Sequence, residues 1–156
     1  MRAQQVPEAV VVARGRVNAD RVELASLDVR ALRGRITGTG ALSWRDAQPW
    51  SAKLDARGID PGVIRAALAG RVNVSLAASG QGFEPLGHWD ARIARLDGTV
   101  RGRPARGRGD VRVRRGEFDV RDLEVVFGSA TVDAQGHVGR RSDLEWRLRV
   151  DDLGSF

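Results

Sequence analysis

The residues around two tryptophans constrain the fold more than any other part of the chain. In the stretches 36–44 (ITGTGALSW) and 50–56 (WSAKLDA), apolar residues or glycines occupy every second position. This alternation is the period of a strand with one wet face and one dry face. The intervening RDAQP is polar and contains turn-forming residues. The sequence therefore predicts a β-hairpin over residues 36–56.

The hairpin phrase recurs along the chain. A glycine followed about ten residues later by a tryptophan occurs at Gly40 and Trp50, at Gly80 and Trp89, and at Gly136 and Trp146. The first and third phrases align without a gap, ninety-six positions apart. Units of this kind cannot bury their own dry face, so they stack or curl on one another. Residues 1–156 are expected to form one β-repeat segment with no second domain.

Two features interrupt the alternation. The dry positions change parity near Ala25–Ser26 and again after Val120, which indicates β-bulges or tight turns. Asp60 before Pro61, with Gly70 beyond, is typical of a capped helix and predicts one short helix near 60–69. The apolar residues of this helix are expected to plug the dry face of the sheet.

Composition excludes several classes of protein. With 156 residues and 42% hydrophobic residues the chain can form one domain with a core. It has no cysteine, which removes disulfides and thiolate chemistry. We find no run long enough to span a membrane and no signal peptide. Because the chain stops just after a strand, we expect it to be an interior fragment of a longer protein.

Candidate chemical sites are weak. Seven arginines between Arg101 and Arg115, with Asp110 as the one acid, suit either a nucleic-acid groove or a solvated loop that contacts anionic surfaces. The window has no aromatic residue for base stacking, so we favour the loop and expect no nucleic-acid partner.

The remaining polar motifs also favour structure over chemistry. We place His88 and His137 in turns without metal-ligand spacing. Asp151–Asp152 is interpreted as a solvated turn, and the glycines in 38–40 and 107–109 as places where strands approach closely. No catalytic residue, cofactor or metal site is predicted.

The tryptophans leave two architectures open. Either a facing sheet buries them in a closed sandwich core, or one sheet curls into an open trough whose dry side meets an apolar ligand. We predict a mainly β fold, an elongated antiparallel or mixed sheet curled into an apolar-lined trough. The predicted lining is Ile36, Leu42, Trp44, Trp50, Leu54, Val72, Val74, Leu76, Trp89, Ile93, Val111, Val113, Val132, Trp146, Leu148 and Val150.

The order of several motifs resembles the repeats of the TamB family, the translocation and assembly module subunits. The motifs are GRITGTGALSW at 34–44, PW at 49–50, GIDP at 58–61, VNVSL at 72–76, and LDGTVRGRP at 96–104 followed by GRG at 107–109. Each motif is short, but their order extends over nearly the whole chain.

The resemblance implies a non-enzymatic, AsmA-like bridge protein of the Gram-negative envelope. Such a protein crosses the periplasm as a β-taco-like trough, held in the inner membrane by a helix outside this chain. It implies phospholipid transport between the two membranes, with acyl chains in the trough. It also implies assembly or secretion of outer-membrane proteins with an Omp85-type partner, TamA, reached through other parts of the parent protein.

Two alternatives stay open beside the lipid trough. One is a scaffold whose sheet edge pairs with strands of outer-membrane or autotransporter clients, by β-augmentation. The other is a closed-core structural or passenger module with no apolar channel.

Overall fold

The computed structural model describes residues 9–151 except 83, 85 and 86. Within these residues ten strands form a single sheet whose strand order is the sequence order. The strands are β1 (Val10–Val17), β2 (Arg21–Ala31), β3 (Gly34–Ser43), β4 (Pro49–Ile59), β5 (Gly70–Gln81), β6 (His88–Val100), β7 (Arg103–Arg114), β8 (Glu117–Phe127), β9 (Ala130–Val138) and β10 (Asp143–Val150). The mainly β fold is confirmed.

Each strand pairs with its sequence neighbours in antiparallel orientation, so the sheet is antiparallel and not mixed. Strands β1 and β10 do not pair with each other, and the sheet does not close into a barrel. The predicted hairpin over 36–56 is confirmed as β3–β4, in which Leu42 pairs with Trp50.

The repeat is looser in space than in sequence. The third phrase also forms a hairpin, β9–β10, but there Trp146 pairs with Ala134. The position equivalent to Ala134 in the first hairpin is Gly38, which pairs with Leu54 and not with Trp50. Relative to the repeated sequence, the turn of the β9–β10 hairpin therefore comes two residues earlier than the turn of the β3–β4 hairpin. The two units share a sequence pattern but not a pairing register.

A β-bulge interrupts four of the five even-numbered strands, namely β2, β4, β6 and β8. Their extra residues lie between Leu24 and Leu27, Ala56 and Ile59, Ile93 and Leu96, and Val120 and Leu123. The parity changes predicted in β2 and β8 are thus confirmed as bulges. Because a bulge bends its strand and increases the local twist, four bulges favour a sheet that curls.

The predicted helix near 60–69 is two single 3₁₀ turns, Pro61–Val63 and Ala66–Leu68. The capping prediction is correct, since the Asp60 carboxylate accepts a hydrogen bond from the Gly62 N–H at 2.8 Å. The predicted plug is wrong, because neither turn contains a buried residue. The local hydrogen bonds form, but the segment lies outside the core.

Two further assignments are corrected. The arginine-rich window is not a loop, because residues 103–114 form strand β7. The two histidines are not in turns, since His88 is the first residue of β6 and His137 lies within β9. Asp151 follows β10 and is exposed, as predicted, whereas Asp152 lies outside the described residues.

Candidate functional site

The register separates the residues of the sheet into two faces of opposite character. Side chains of directly paired residues in antiparallel strands point to the same side of the sheet. Following the pairs from β1 to β10 collects Val, Leu, Ile, Trp, Phe, Ala and Gly on one side, here called the apolar face. The other side, called the charged face, holds most of the Arg, Asp, Glu and Lys residues of the strands.

Rows of paired residues cross the apolar face at right angles to the strands. The tryptophan row runs through Val17, Val22, Leu42, Trp50, Gly80, Trp89, Val113, Phe118 and Val138. The leucine row runs through Ala13, Leu27, Gly38, Leu54, Leu76, Ile93 and Gly109. Between the two rows lie smaller residues, including Ala52, Ala78 and Ala91. The two rows of large side chains therefore flank a strip of small side chains in the centre of the face.

The register places fifteen of the sixteen predicted lining residues on the apolar face. The exception is Trp44, which lies just beyond the end of β3. Its indole N–H donates to the carbonyl oxygen of Ala19 in the neighbouring turn, and its surface is 43% exposed. The other fifteen come together on one surface, and their contact with lipid stays a prediction.

Sequence reasoning missed much of this surface. On the apolar face lie also Leu24, Val29, Ile59, Leu96, Val100, Phe118, Val120, Leu123, Val125 and Phe127. Several of these follow a bulge, where the dry positions change from one parity to the other. The available signal was therefore a pair of apolar residues three positions apart, such as Ile93 and Leu96.

The apolar face is covered at its centre and exposed at its edges. Val113 has no exposed surface and Val72 is 8% exposed, although the described residues form no second layer. Val113 lies between Trp89 and Phe118 in the tryptophan row, so large neighbouring side chains cover it. Towards the edge strand β10 the cover is lost, and Trp146 is 68% exposed. The described residues form one sheet and no closed sandwich core, which was the alternative left open by the tryptophans.

A glycine allows two of the tryptophans to lie close together. Gly80 in β5 pairs with Trp50 on one side and with Trp89 on the other. A Cβ atom at Gly80 would lie 2.8 Å from Trp50 Cζ2 and 2.6 Å from the carbonyl oxygen of His88. The missing side chain therefore leaves room for the aromatic rings. The Trp50 indole N–H donates to the carbonyl oxygen of Gly82 at 2.9 Å, which fixes the direction of its ring.

The charged face satisfies its own charges through ion pairs between neighbouring strands. Across β6 and β7, Arg92 Nε lies 2.7 Å from Asp110 Oδ1, and Asp90 accepts hydrogen bonds from Arg112 at 2.8 Å and Arg114 at 2.7 Å. Partial burial acts to raise the pKa of Asp90, but the hydrogen bonds from Arg114 and Arg112 outweigh it and hold the pKa below its usual value. Asp90 is thus the centre of a small network.

A shallow groove of about 690 Å³ crosses this charged face. Its floor includes the small residues Ala41, Ser51 and Ser79, and its walls include the paired Arg92 and Asp110. Cations and carboxylates alternate along it and neutralise one another, so the groove offers no uniform charge to a ligand. Three of the five arginines of β7 follow the same rule, because Arg108, Arg112 and Arg114 pair with acids of β6 or β8.

The described residues contain no group of three or more His, Asp or Glu side chains arranged to hold a metal ion. His137 is the one histidine there with acidic neighbours: its Nδ1 lies 3.0 Å from Asp119 Oδ1 and its Nε2 lies 3.9 Å from Glu117 Oε2. Among the residues that the structure describes, no helix has the length and apolar character required to span a bilayer.

Comparison with known proteins gives one match. The family model of the TamB N-terminal domain matches residues 1–156. No curated protein and no solved structure matches the chain significantly. The matched range includes all ten strands of the sheet.

Proposed function

Because the chain belongs to the TamB family of envelope proteins, we propose that its apolar face is a trough for phospholipid acyl chains moving between the inner and outer membranes. The observation that supports this proposal is an apolar face that continues across ten strands and leaves large side chains such as Trp146 and Leu148 exposed. In this proposal the segment works in the periplasm, as part of a protein anchored elsewhere in its parent chain.

The energetics favour an acyl chain as the missing cover. Each methylene that leaves water for an apolar surface contributes about 0.8 kcal/mol, so a chain lying along the face gains from every strand it crosses. Nine inter-strand spacings of about 4.8 Å give the face a length of about 43 Å across the strands. The polar headgroup stays in water at the open rim, which avoids the cost of burying it.

Leu76 is the best position for a test, since it lies in β5 near the centre of the sheet and pairs with Leu54 and Ile93 on the apolar face. We expect Leu76→Arg to abolish copurification of phospholipid with the chain. An acyl chain in the trough would cover the new guanidinium group and remove its hydration, which is costly. Ser79→Arg is the matched control, because Ser79 lies in the same strand on the charged face and is exposed.

The measurement is native mass spectrometry of each purified variant, followed by lipid extraction and phosphate analysis. Strand content by circular dichroism should be equal in both variants. Phospholipid bound to wild type and to Ser79→Arg, but not to Leu76→Arg, supports the trough. Equal loading of all three, or none in wild type, overturns it.

A second candidate function uses the sheet edge and supports a role in assembly of outer-membrane proteins. Strand β10 pairs only with β9 among the described residues, and it exposes Leu144, Trp146 and Leu148 by 44%, 68% and 52%. An unpaired edge with alternating apolar residues is a template for an incoming strand. A client strand would extend the apolar face by one more row of side chains.

Proline substitution separates the edge mechanism from the trough. In an edge strand, every second backbone N–H points away from the sheet and is free to donate to an incoming strand. Either Arg147→Pro or Leu148→Pro, but not both, therefore removes such a donor from the free edge of β10. If clients pair with β10, that variant loses binding of a peptide from an outer-membrane strand while Leu76→Arg retains it. Loss in Leu76→Arg alone would contradict edge pairing. Cooperation with TamA is part of the same proposal and is tested by adding TamA to the binding reaction.

A further inference from the structure

Three connections at one end of the sheet form a continuous platform. They are the turn at 32–33, the segment 60–69 and the turn at 101–102, which join β2–β3, β4–β5 and β6–β7. Backbone hydrogen bonds link them, since the Asp60 N–H donates to the Leu32 carbonyl at 2.9 Å and the Arg101 N–H donates to the Ala69 carbonyl at 2.8 Å. Residues far apart in sequence are therefore neighbours here.

The platform exposes apolar side chains that the sheet does not need. Ile64 is 76% exposed, the largest value for a large hydrophobic residue in the described part of the chain. Leu68 and Val63 are 44% and 39% exposed. These three side chains lie within six residues, at the place where the sequence predicted a plug for the core. They point to a partner outside the sheet.

The charges of the platform are almost all positive. Arg33, Arg65 and Arg101 are exposed. The one acid in these three connections, Asp60, pairs with Arg33 at 3.1 Å. The turns at the opposite end contain both signs, with Asp20, Asp46 and Glu84 among their residues, and there Arg45 pairs with Asp20 at 2.8 Å. The platform therefore carries three arginines against one acid, whereas the turns at the opposite end carry four arginines against three acids.

Asp60 also holds the segment in shape. Its Oδ1 accepts hydrogen bonds from the N–H groups of Gly70 at 3.2 Å and Gly62 at 2.8 Å. These backbone hydrogen bonds, from Gly70 and then Gly62, hold the pKa of Asp60 below its usual value. The exposed apolar residues are thus presented on a braced segment.

We propose that this platform docks onto the surface of an anionic phospholipid bilayer. Apolar side chains that insert at the headgroup boundary, surrounded by arginines, are the combination that binds such surfaces. Water accounts for the exposed arginines, but it does not account for three large apolar side chains exposed within six residues. Docking would bring the strand ends, and with them one rim of the apolar face, to the membrane. The proposal does not depend on lipid entering the trough.

Vesicle flotation tests the proposal with the 156-residue chain. We expect binding to vesicles of phosphatidylcholine and phosphatidylglycerol, weakening as salt is added, and little binding to vesicles of phosphatidylcholine alone. Ile64→Ser should weaken binding about tenfold. Arg65→Gln should weaken it about fivefold at low ionic strength.

The controls are exposed residues away from the platform. Arg115→Gln removes an arginine from a turn at the opposite end, and Val12→Ser removes an apolar residue that is 52% exposed on the charged face of β1. Neither should change binding by more than about twofold. Equal losses in the controls, or binding that ignores both Ile64 and Arg65, would overturn the proposal.

The result is separable from the trough. Leu76→Arg should float with anionic vesicles as wild type does, even where it carries no extracted phospholipid. Loss of flotation in Leu76→Arg but not in Ile64→Ser would place membrane contact in the trough and contradict docking through the platform.

Discussion

The two faces of the sheet differ in how far the protein itself can pair or cover their side chains. On the charged face, cross-strand pairs such as Arg92 with Asp110 satisfy many of the charged groups within the protein itself. On the apolar face, Val113 is completely buried but Trp146 is 68% exposed. Charged groups left unpaired are hydrated by water, whereas exposed apolar side chains gain nothing from it. The function is therefore to be sought on the face that the sheet cannot cover alone.

The largest expected effect on stability comes from the tight packing of the apolar face. Gly80→Ala places a Cβ 2.6 Å from the His88 carbonyl oxygen and 2.8 Å from Trp50 Cζ2. We expect it to lower the free energy of unfolding by about 2–3 kcal/mol, since neither neighbour can move freely. The measurement is urea denaturation followed by circular dichroism.

Gly107→Ala is the matched control on the same face. There the nearest heavy atom to a new Cβ is the Glu124 carbonyl oxygen at 3.4 Å, which is ordinary contact. Its free energy of unfolding should change by less than about 1 kcal/mol. Equal effects of the two substitutions would show that the missing side chain at Gly80 is not what makes room for the tryptophan rings.

A smaller effect is expected from a cavity at the centre of the apolar face. Val113→Ala removes two methyl groups from a fully buried site, and we expect a loss of about 2 kcal/mol in the free energy of unfolding. Leu148→Ala at the edge is 52% exposed in the native chain and should lose less than about 1 kcal/mol. Similar losses at both sites would mean that the centre of the apolar face is not covered as described.

The smallest effect is expected on the charged face. Asp90 pairs with two arginines but is 44% exposed, so Asp90→Asn should lower the free energy of unfolding by about 0.5–1 kcal/mol at neutral pH. The folded pKa is below the ordinary value of about 3.9, so this stabilisation is present above about pH 4 and is lost as the pH falls through the folded pKa. A difference between wild type and variant that persists in acid would contradict the ion-pair account.

Alternation in the sequence was enough to predict the strands and most of the apolar face, because the side-chain period of a strand is a local property. It was also enough for the bulges in β2 and β8, where large residues stand on both sides of the parity change. In β4 the bulge includes Gly58, which has a φ of +64° and precedes the helix-like signals of Asp60 and Pro61. Those signals hid the last residues of β4, which extends to Ile59 and not only to residue 56.

The errors share one physical cause, which is that packing is not local. Capping residues specify hydrogen bonds at 60–69, but they do not determine whether Ile64 contacts a core. The first part of strand β7 was missed because its dry positions include Gly107 and Gly109, whose volume is filled by neighbours. A Cβ at Gly109 would lie 2.9 Å from Leu123 Cδ1 in β8. At such a position the apolar surface is supplied by the leucine of the neighbouring strand, so the sequence of β7 alone does not indicate it.

The central claim is that phospholipid covers the apolar face and not the charged one. The most direct measurement places a photoreactive benzophenone amino acid at position 76 or at position 77, adjacent residues on opposite faces of β5. After irradiation in Gram-negative cells, mass spectrometry identifies what each position contacts. The account predicts phospholipid adducts at position 76 and none at position 77. Equal lipid adducts at both positions, or only protein adducts at position 76, would contradict it.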